Sequence, residues 1–435
     1  MSGSWGRLPI APAQRIIEKD WRFHSLPELP QNDTFLAHGC RRSYGDSCIN
    51  SEGSELGTRQ LSRYIEFDTQ TGVLNCEAGI TLDEILQLIV PKGWFLPVVP
   101  GTRFVTLGGA IANDVHGKNH HCAGSFGCHV HSLSLLRSDG QRPHCSATEH
   151  PELFAATIGG LGLTGLITSA EIQLIAIASD TMVSENIPFA SVAEFCQINR
   201  ESADWPYTVS WIDTVARKGQ VGRGVFTRAR HADSSSSSSL TPGKSAQRLS
   251  VPFAPPISLV NRWTVDVFNR AYYTVESSKS GFRNVHYQPF FFPLDVIGNW
   301  NRVYGSKGFY QYQCVLPHAG SEQALNALLK EIHASGASSF LVVLKEFGDK
   351  PSPGMLSFPR PGLTLALDFP NRGAKTLKLL SSFDSTVRSV GGAIYPAKDA
   401  RMPAQLFNDG YPRLQEFRKQ IDPKFSSAFW RRVQL

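Results

Sequence analysis

Residues 100 to 130 read PGTRFVTLGGAIANDVHGKNHHCAGSFGCHV, from Pro100 to Val130. No other part of the chain packs Gly, His, Asn and Ser so densely. Gly101, Gly108, Gly109, Gly117, Gly124 and Gly127 let the backbone approach a ligand and adopt conformations closed to other residues. Free N–H groups and small hydroxyls beside them form a nest for phosphate oxygens. The stretch is therefore read as the wall of a cofactor site, with the remainder of the chain as its support.

A chain of 435 residues is too long for one simple core and implies two or three domains. With 41% hydrophobic and 18% charged residues it is a globular chain, not a disordered one. A net charge of +6 carried by scattered Lys and Arg argues against nucleic acid as partner and is compatible with an anionic small ligand. The eight cysteines contain no C-x-x-C pair, so they are expected to be reduced thiols, with no metal site. The N-terminus lacks the apolar core of a signal peptide, and no run is long enough for a transmembrane helix. A cytoplasmic location is expected, with peripheral contact at the inner membrane left open.

Working outward, Thr34 to Ala37 reads as a short strand ending in the polar loop His38 to Ser47. Tyr64–Asp68 and Val73–Ala78 alternate around Thr71-Gly72 as a hairpin. Thr81-Leu82-Asp83-Glu84 has the chemistry of a helix N-cap, and Leu82, Ile85, Leu86 and Ile89 follow at helical spacing. Gly160, Gly162 and Gly165 match G-x-G-x-x-G, but a helix precedes them and a strand-like run, Leu166 to Ile177, follows. That order is the reverse of a dinucleotide fold, so these glycines are read as points of close backbone approach. Beyond residue 180 the pattern changes to strand–helix alternations, interrupted by a Ser-rich insert at about 231–250 that is expected to be mobile, either a lid or a neutral insertion.

Individual residues leave alternatives open. Tyr44, within Arg42-Ser43-Tyr44-Gly45-Asp46, sits in either an ordinary turn or a loop cradling a pyrophosphate. His116 has neighbouring histidines but no H-x-x-x-H or H-E-x-x-H, so a metal is not expected. Lys118 reads equally as solvated surface. Gln311 and Gln313 share one face of a strand, which suits sugar hydroxyls or an exposed sheet face. Lys345 ends an apolar strand, and Lys398 follows Tyr395-Pro396-Ala397; lysines that become buried can act as acid, base or anion partner. No G-x-S-x-G, P-loop or kinase motif is present.

Taken together, RSYGD at 42–46, PGT at 100–102, GGAIA at 108–112, HGKNHH at 116–121, GSFG at 124–127 and GLGLTG at 160–165 resemble the FAD-binding domain of the vanillyl-alcohol-oxidase superfamily. A closer resemblance, to the decaprenylphosphoryl-β-D-ribose 2′-oxidase family, continues through WID at 211–213, NWNR at 299–302, QYQ at 311–313, LALDFP at 365–370 and AKD at 397–399. It implies an α+β protein: a PCMH-type FAD-binding domain over 1–180, a substrate domain with a large antiparallel sheet flanked by helices over 181–390, and a return to the FAD domain over 391–435. It implies non-covalent FAD, because the first loop offers Tyr44 where many relatives carry a linking His. By motif position the cofactor residues would be Gly39, Arg41, Arg42, Ser43, Tyr44, Gly45, Asp46, Gly101, Thr102, Thr106, Gly108, Gly109, Asn113, His116, Gly117, Asn119, Gly124, Ser125, Gly160, Gly162, Gly165, Ile167 and Tyr395. Substrate would meet Arg302, Gln311, Gln313, Lys345, Ala366 and Lys398, with Lys398, His116 and Tyr44 as the catalytic group.

The implied activity is oxidation of a sugar secondary alcohol, the 2′-hydroxyl of a polyprenyl-phosphate-linked pentose, to a keto-sugar. A separate NAD(P)H-dependent ketoreductase would complete an epimerisation. A soluble polyol or aldonolactone oxidase and a non-catalytic flavin-binding scaffold are the alternatives. Two departures stand out. Ala366 replaces a Cys of mycobacterial members, and HGCRR at 38–42 replaces the usual R-G-x-G-R, which alters the first loop.

Overall fold

The computed structural model describes residues 3–8, 10–30, 32–215, 221–233, 249–279 and 281–434. The Ser-rich insert expected at 231–250 falls, from 234 to 248, outside the described residues. Three sheets organise the chain. Strands Arg15–Glu18, Ser54–Gly57 and Phe35–His38 form a small parallel sheet. Five antiparallel strands follow, in the order 64–68, 73–77, 166–173, 130–136 and 144–146. An eight-stranded antiparallel sheet runs 282–286, 181–189, 224–231, 207–212, 342–347, 362–370, 309–316 and 393–394.

Local chemistry explains the elements that were legible. The hairpin turns at Gly72, whose φ of +73° a residue with a Cβ would resist. Helix Leu82–Ile89 begins in a capping box: Thr81 Oγ1 accepts from Glu84 N at 3.2 Å and Thr81 N donates to Glu84 Oε2 at 2.7 Å. The helix buries Leu82, Ile85, Leu86 and Ile89 in one core with Leu74, Leu107, Ile111 and Ile172.

The large sheet has two different faces. Tyr312, Cys314, Leu316, Leu365, Leu367 and Leu344 point one way, into a core with helices Val192–Glu201, Ser321–Ser335 and Ala374–Ser389. Alternation sends Gln311, Gln313, Thr364, Ala366, Asp368 and Lys345 the other way, toward the glycine-rich loops.

Both chain ends clamp this junction. Trp5 N donates to Ser43 O at 2.8 Å, and Phe309 N donates to Gly6 O at 2.9 Å. Near the C-terminus, Ser426 N donates to Phe35 O, and Arg432 pairs with both Asp46 and Asp399.

Candidate active site

A cavity of about 730 Å³ lies between the glycine-rich loops and the polar face of the large sheet. Its loop side is lined by Gly39 to Tyr44, Gly101, Thr102, Thr106, Gly108, Gly109, Asn113, His116 and Gly117, with Gly162, Gly165 and Ile167 beyond them. Opposite stand Gln311, Gln313, Lys345, Ala366, Tyr395 and Lys398. The structure thus brings most of the residues singled out from sequence around one space.

Seven others stand off the lining, each for a local reason. A Cβ on Gly45 would lie 1.6 Å from Asp399 O, so this glycine allows two loops to touch. Asp46 is held by Arg432 at 2.8 Å. Asn119 donates to Pro97 O at 2.7 Å. Gly124 supplies a φ of +76° at a helix end. Ser125 is fully buried and pairs His116 in an isolated β-bridge. Gly160 packs on Ala156, whose carbonyl would be 2.0 Å from a Cβ. Arg302 donates to the carbonyls of Val251 and Pro252, at 2.8 and 2.6 Å, instead of facing a substrate.

The loop side fits FAD on its own chemistry. Arg41 Nη1 and Ser47 Oγ are buried without a hydrogen-bond partner, and both residues line the cavity. Buried donors of this kind demand an acceptor, and a pyrophosphate supplies several. A Cβ on Gly101 would meet nothing within 4 Å, so that backbone is bare toward the cavity. Arg41, where the usual loop has glycine, adopts a left-handed φ of 51°. That costs about 1 kcal/mol, and its guanidinium is tied to buried Glu55.

The sheet side is built around His116. Gln313 Nε2 lies 2.9 Å from His116 Nε2, and Lys345 Nζ lies 3.0 Å from its Nδ1. Lys345 Nζ also donates to Gly117 O at 2.9 Å. Burial, and then the neighbouring basic groups Lys345, His120 and Lys398, hold His116 well below the ordinary imidazole range, so it is neutral. Burial, then Lys118 and Lys398, press Lys345 down to about 7. Lys398 Nζ sits 3.9 Å above the Tyr44 ring. Burial lowers it to about 8, against the opposing pull of Asp368. Tyr44 is buried and shifted well above the ordinary phenol range, so it keeps its proton. Tyr395 donates to Asn113 O at 2.8 Å and stacks on Phe358, fixing the floor beside His116.

Three residues escaped sequence reasoning. Lys118 is no surface residue: it lines the cavity, donates to Phe290 O and is pushed by burial to about 7. Thr364 accepts from Gln313 Nε2 at 3.2 Å and donates to Cys314 O at 2.9 Å. Asp368, fully buried, accepts from Gln311 Nε2 at 2.6 Å, and burial raises it to about 7. The alternation T-L-A-L-D over 364–368 was the available signal, since it puts Thr364 and Asp368 on the face of Ala366.

A bare, donor-rich glycine cradle facing a sheet wall of amides and depressed lysines defines an FAD-dependent oxidoreductase. Residues 30–146 match the model of the FAD binding domain. The chain is 37% identical, over 92% of its length and 89% of the relative's, to the decaprenylphosphoryl-β-D-ribose oxidase of Mycolicibacterium smegmatis. It is 33% identical to an uncharacterized protein of Streptomyces coelicolor, over 82% of this chain and all of that one. A shorter match, 30% over 26% of this chain and 22% of the relative, is to the human delta(24)-sterol reductase. The chain belongs to the decaprenylphosphoryl-β-D-ribose oxidase family.

Proposed function

We propose that this enzyme oxidises the 2′-hydroxyl of a polyprenyl-phosphate-linked pentose to a keto-sugar, as the oxidative half of an epimerisation. A separate NAD(P)H-dependent ketoreductase would supply the other half, and the enzyme would work peripherally at the inner membrane with non-covalently held FAD. The observation that carries this reading is the sheet wall. Two carboxamides and two lysines of depressed pKa line the cavity with His116, and aromatic residues of the large sheet and its flanks line it as well.

Bound FAD supplies the hydride acceptor for the carbinol carbon. Lys398 Nζ, in its neutral form, takes the hydroxyl proton as the carbonyl forms. Gln311 and Gln313 hold sugar hydroxyls, and each is itself fixed, by Asp368 and by Thr364 with His116. Tyr44 covers Lys398 and excludes water from it. Trp211, Trp300, Phe340 and Leu341 line the cavity with apolar surface that suits a prenyl tail better than a free polyol.

The test has two stages. The absorbance spectrum of purified protein is recorded before and after acid precipitation. Flavin released to the supernatant is expected, and yellow colour retained in the pellet would refute the non-covalent reading. Bleaching is then followed with prenyl-phosphoryl pentoses and free polyols; reduction by polyols alone would overturn the substrate. Lys398→Ala should keep the flavin and lose reduction by substrate.

A further inference from the structure

The helix Arg262–Ser277 is turned inside out. A surface helix normally buries its apolar stripe. This one buries only Val265 and Asn269, and Asn269 Nδ2 is committed to Asp213 at 2.8 Å. At helical spacing, Trp263, Val267, Ala271 and Val275 line up on the outer face with Phe268 beside them. Trp263 is 83% exposed, Val267 69% and Val275 52%. The preceding segment adds Phe253 at 70% and Ile257 at 80%. Of the 16 large apolar side chains exposed among the described residues, 11 fall between residues 249 and 296. Solvent-facing patches of that density mark interaction surfaces.

The patch runs into the active-site cavity. Phe268 and Tyr272 are exposed on the helix and also line the cavity. Phe268 packs edge-on against Phe340, and Tyr272 lies against Trp211, both cavity residues. Apolar contacts therefore join the outer face of the helix to the cavity wall.

We propose that this helix and segment 249–259 are a membrane-docking surface, which lies in the lipid interface and opens the cavity directly onto it. The inference rests on the lipid-linked substrate proposed above. An exposed Trp and aliphatic face with basic flanks is the pattern of an interfacial helix. Over 249–283 the charges are Arg262, Arg270, Lys279 and Arg283 against Asp266 and Glu276. Both acids are already paired, to Arg270 and Lys279, so the remaining balance is positive and suits anionic lipid. A tail held in the bilayer could pass along Phe268 and Tyr272 without crossing water.

Flotation with vesicles of phosphatidylcholine and phosphatidylglycerol, using the FAD-loaded full chain, tests the surface. Wild type should float, and Trp263→Asp/Val267→Asp should bind on the order of a hundredfold more weakly. Neither residue lines the cavity, so the double variant should keep its flavin and its turnover of a water-soluble short-prenyl phosphoryl pentose. It should lose turnover of a long-chain substrate presented in vesicles. Equal flotation of the two proteins would overturn the proposal. So would a wild-type dimer, by light scattering, that the double variant converts to monomer, because the patch would then be covered by a second copy. Wild type inert toward every phosphoryl pentose would remove the substrate reading, while flotation would still decide the surface.

Discussion

The hydrogen bonds at His116 make a prediction about where a proton resides. Thr364 gives its hydroxyl proton to Cys314 O, so it can only accept from Gln313. That fixes the Gln313 amide with its nitrogen toward Thr364 and His116. His116 Nε2 must then accept, at 2.9 Å, and a neutral imidazole with an accepting Nε2 carries its proton on Nδ1. The partner of Nδ1 is Lys345 Nζ at 3.0 Å, which must therefore accept and be an uncharged amine. Its depression to about 7 by burial agrees with that state.

The perturbation is Gln313→Glu. A carboxylate at this position accepts a hydrogen bond from Nε2–H, so Nδ1 becomes the acceptor and Lys345 becomes an ammonium. With the carboxylate and ammonium about 6 Å apart across the ring and an effective dielectric of about 20, the attraction is about 3 kcal/mol. That corresponds to about two pK units, which moves Lys345 from about 7 to about 9. Long-range ¹H–¹⁵N spectra of histidine-labelled holoenzyme report the tautomer directly. The side-chain ¹⁵N shift of Lys345 in lysine-labelled holoenzyme, followed against pH, reports its titration as a limb that should move upward by the same two units. An Nε2–H tautomer in the wild type, or an unmoved limb in the variant, would refute the reasoning.

Other expectations follow from the same geometry. Ala366→Cys should place a thiol on the cavity wall; an electrophile mapped by mass spectrometry should then block position 366 and flavin reduction in the variant alone. The native cavity thiols Cys40 and Cys48 are raised by burial, Cys48 to about 12, and should stay unlabelled. Arg432→Met leaves Asp46 and Asp399 buried without their cation. About 3–5 kcal/mol of stability should be lost, read by urea unfolding, and an unchanged midpoint would show that the C-terminal clamp is dispensable. Lys118, Lys345 and Lys398 are all held below the ordinary lysine value, to about 7, 7 and 8. Between those values and about 10.4 the unfolded chain binds more protons, so stability should rise with pH in that window. The melting temperature of apo-protein should climb from pH 7 to 9, and Lys345→Met should flatten the climb.

Where the sequence was transparent, the cause was local. The Thr81–Glu84 cap, the Gly72 turn and the reversed strand–helix order around Gly160 each depend on residues within a few positions. The errors were equally consistent. Gly45 and Asp46 share a motif with true cavity residues, yet their form is set by Asp399 and Arg432. Lys118 stays open between site and surface in the sequence because Phe290, whose carbonyl accepts from its amine and whose ring lies beneath it, is 172 residues away.

The sheet wall shows what alternation alone withholds. Period-two patterns in 309–316, 342–347 and 362–370 assign faces within each strand. Function depends on register between strands, which long-range pairing sets. Gln313 lies opposite Ala366 and Lys345 opposite Thr364, so one residue of slip in 342–347 would send Lys345 into the helix-packed core. Leu344 opposes that slip, because it would have to leave the core it shares with Cys314 and Leu365 and surface in the cavity. The hydrophobic core behind the sheet is therefore what aligns His116, Gln313 and Lys345 in front of it. Core substitutions such as Leu344→Ala should accordingly disturb the proton arrangement at His116 before they abolish the fold.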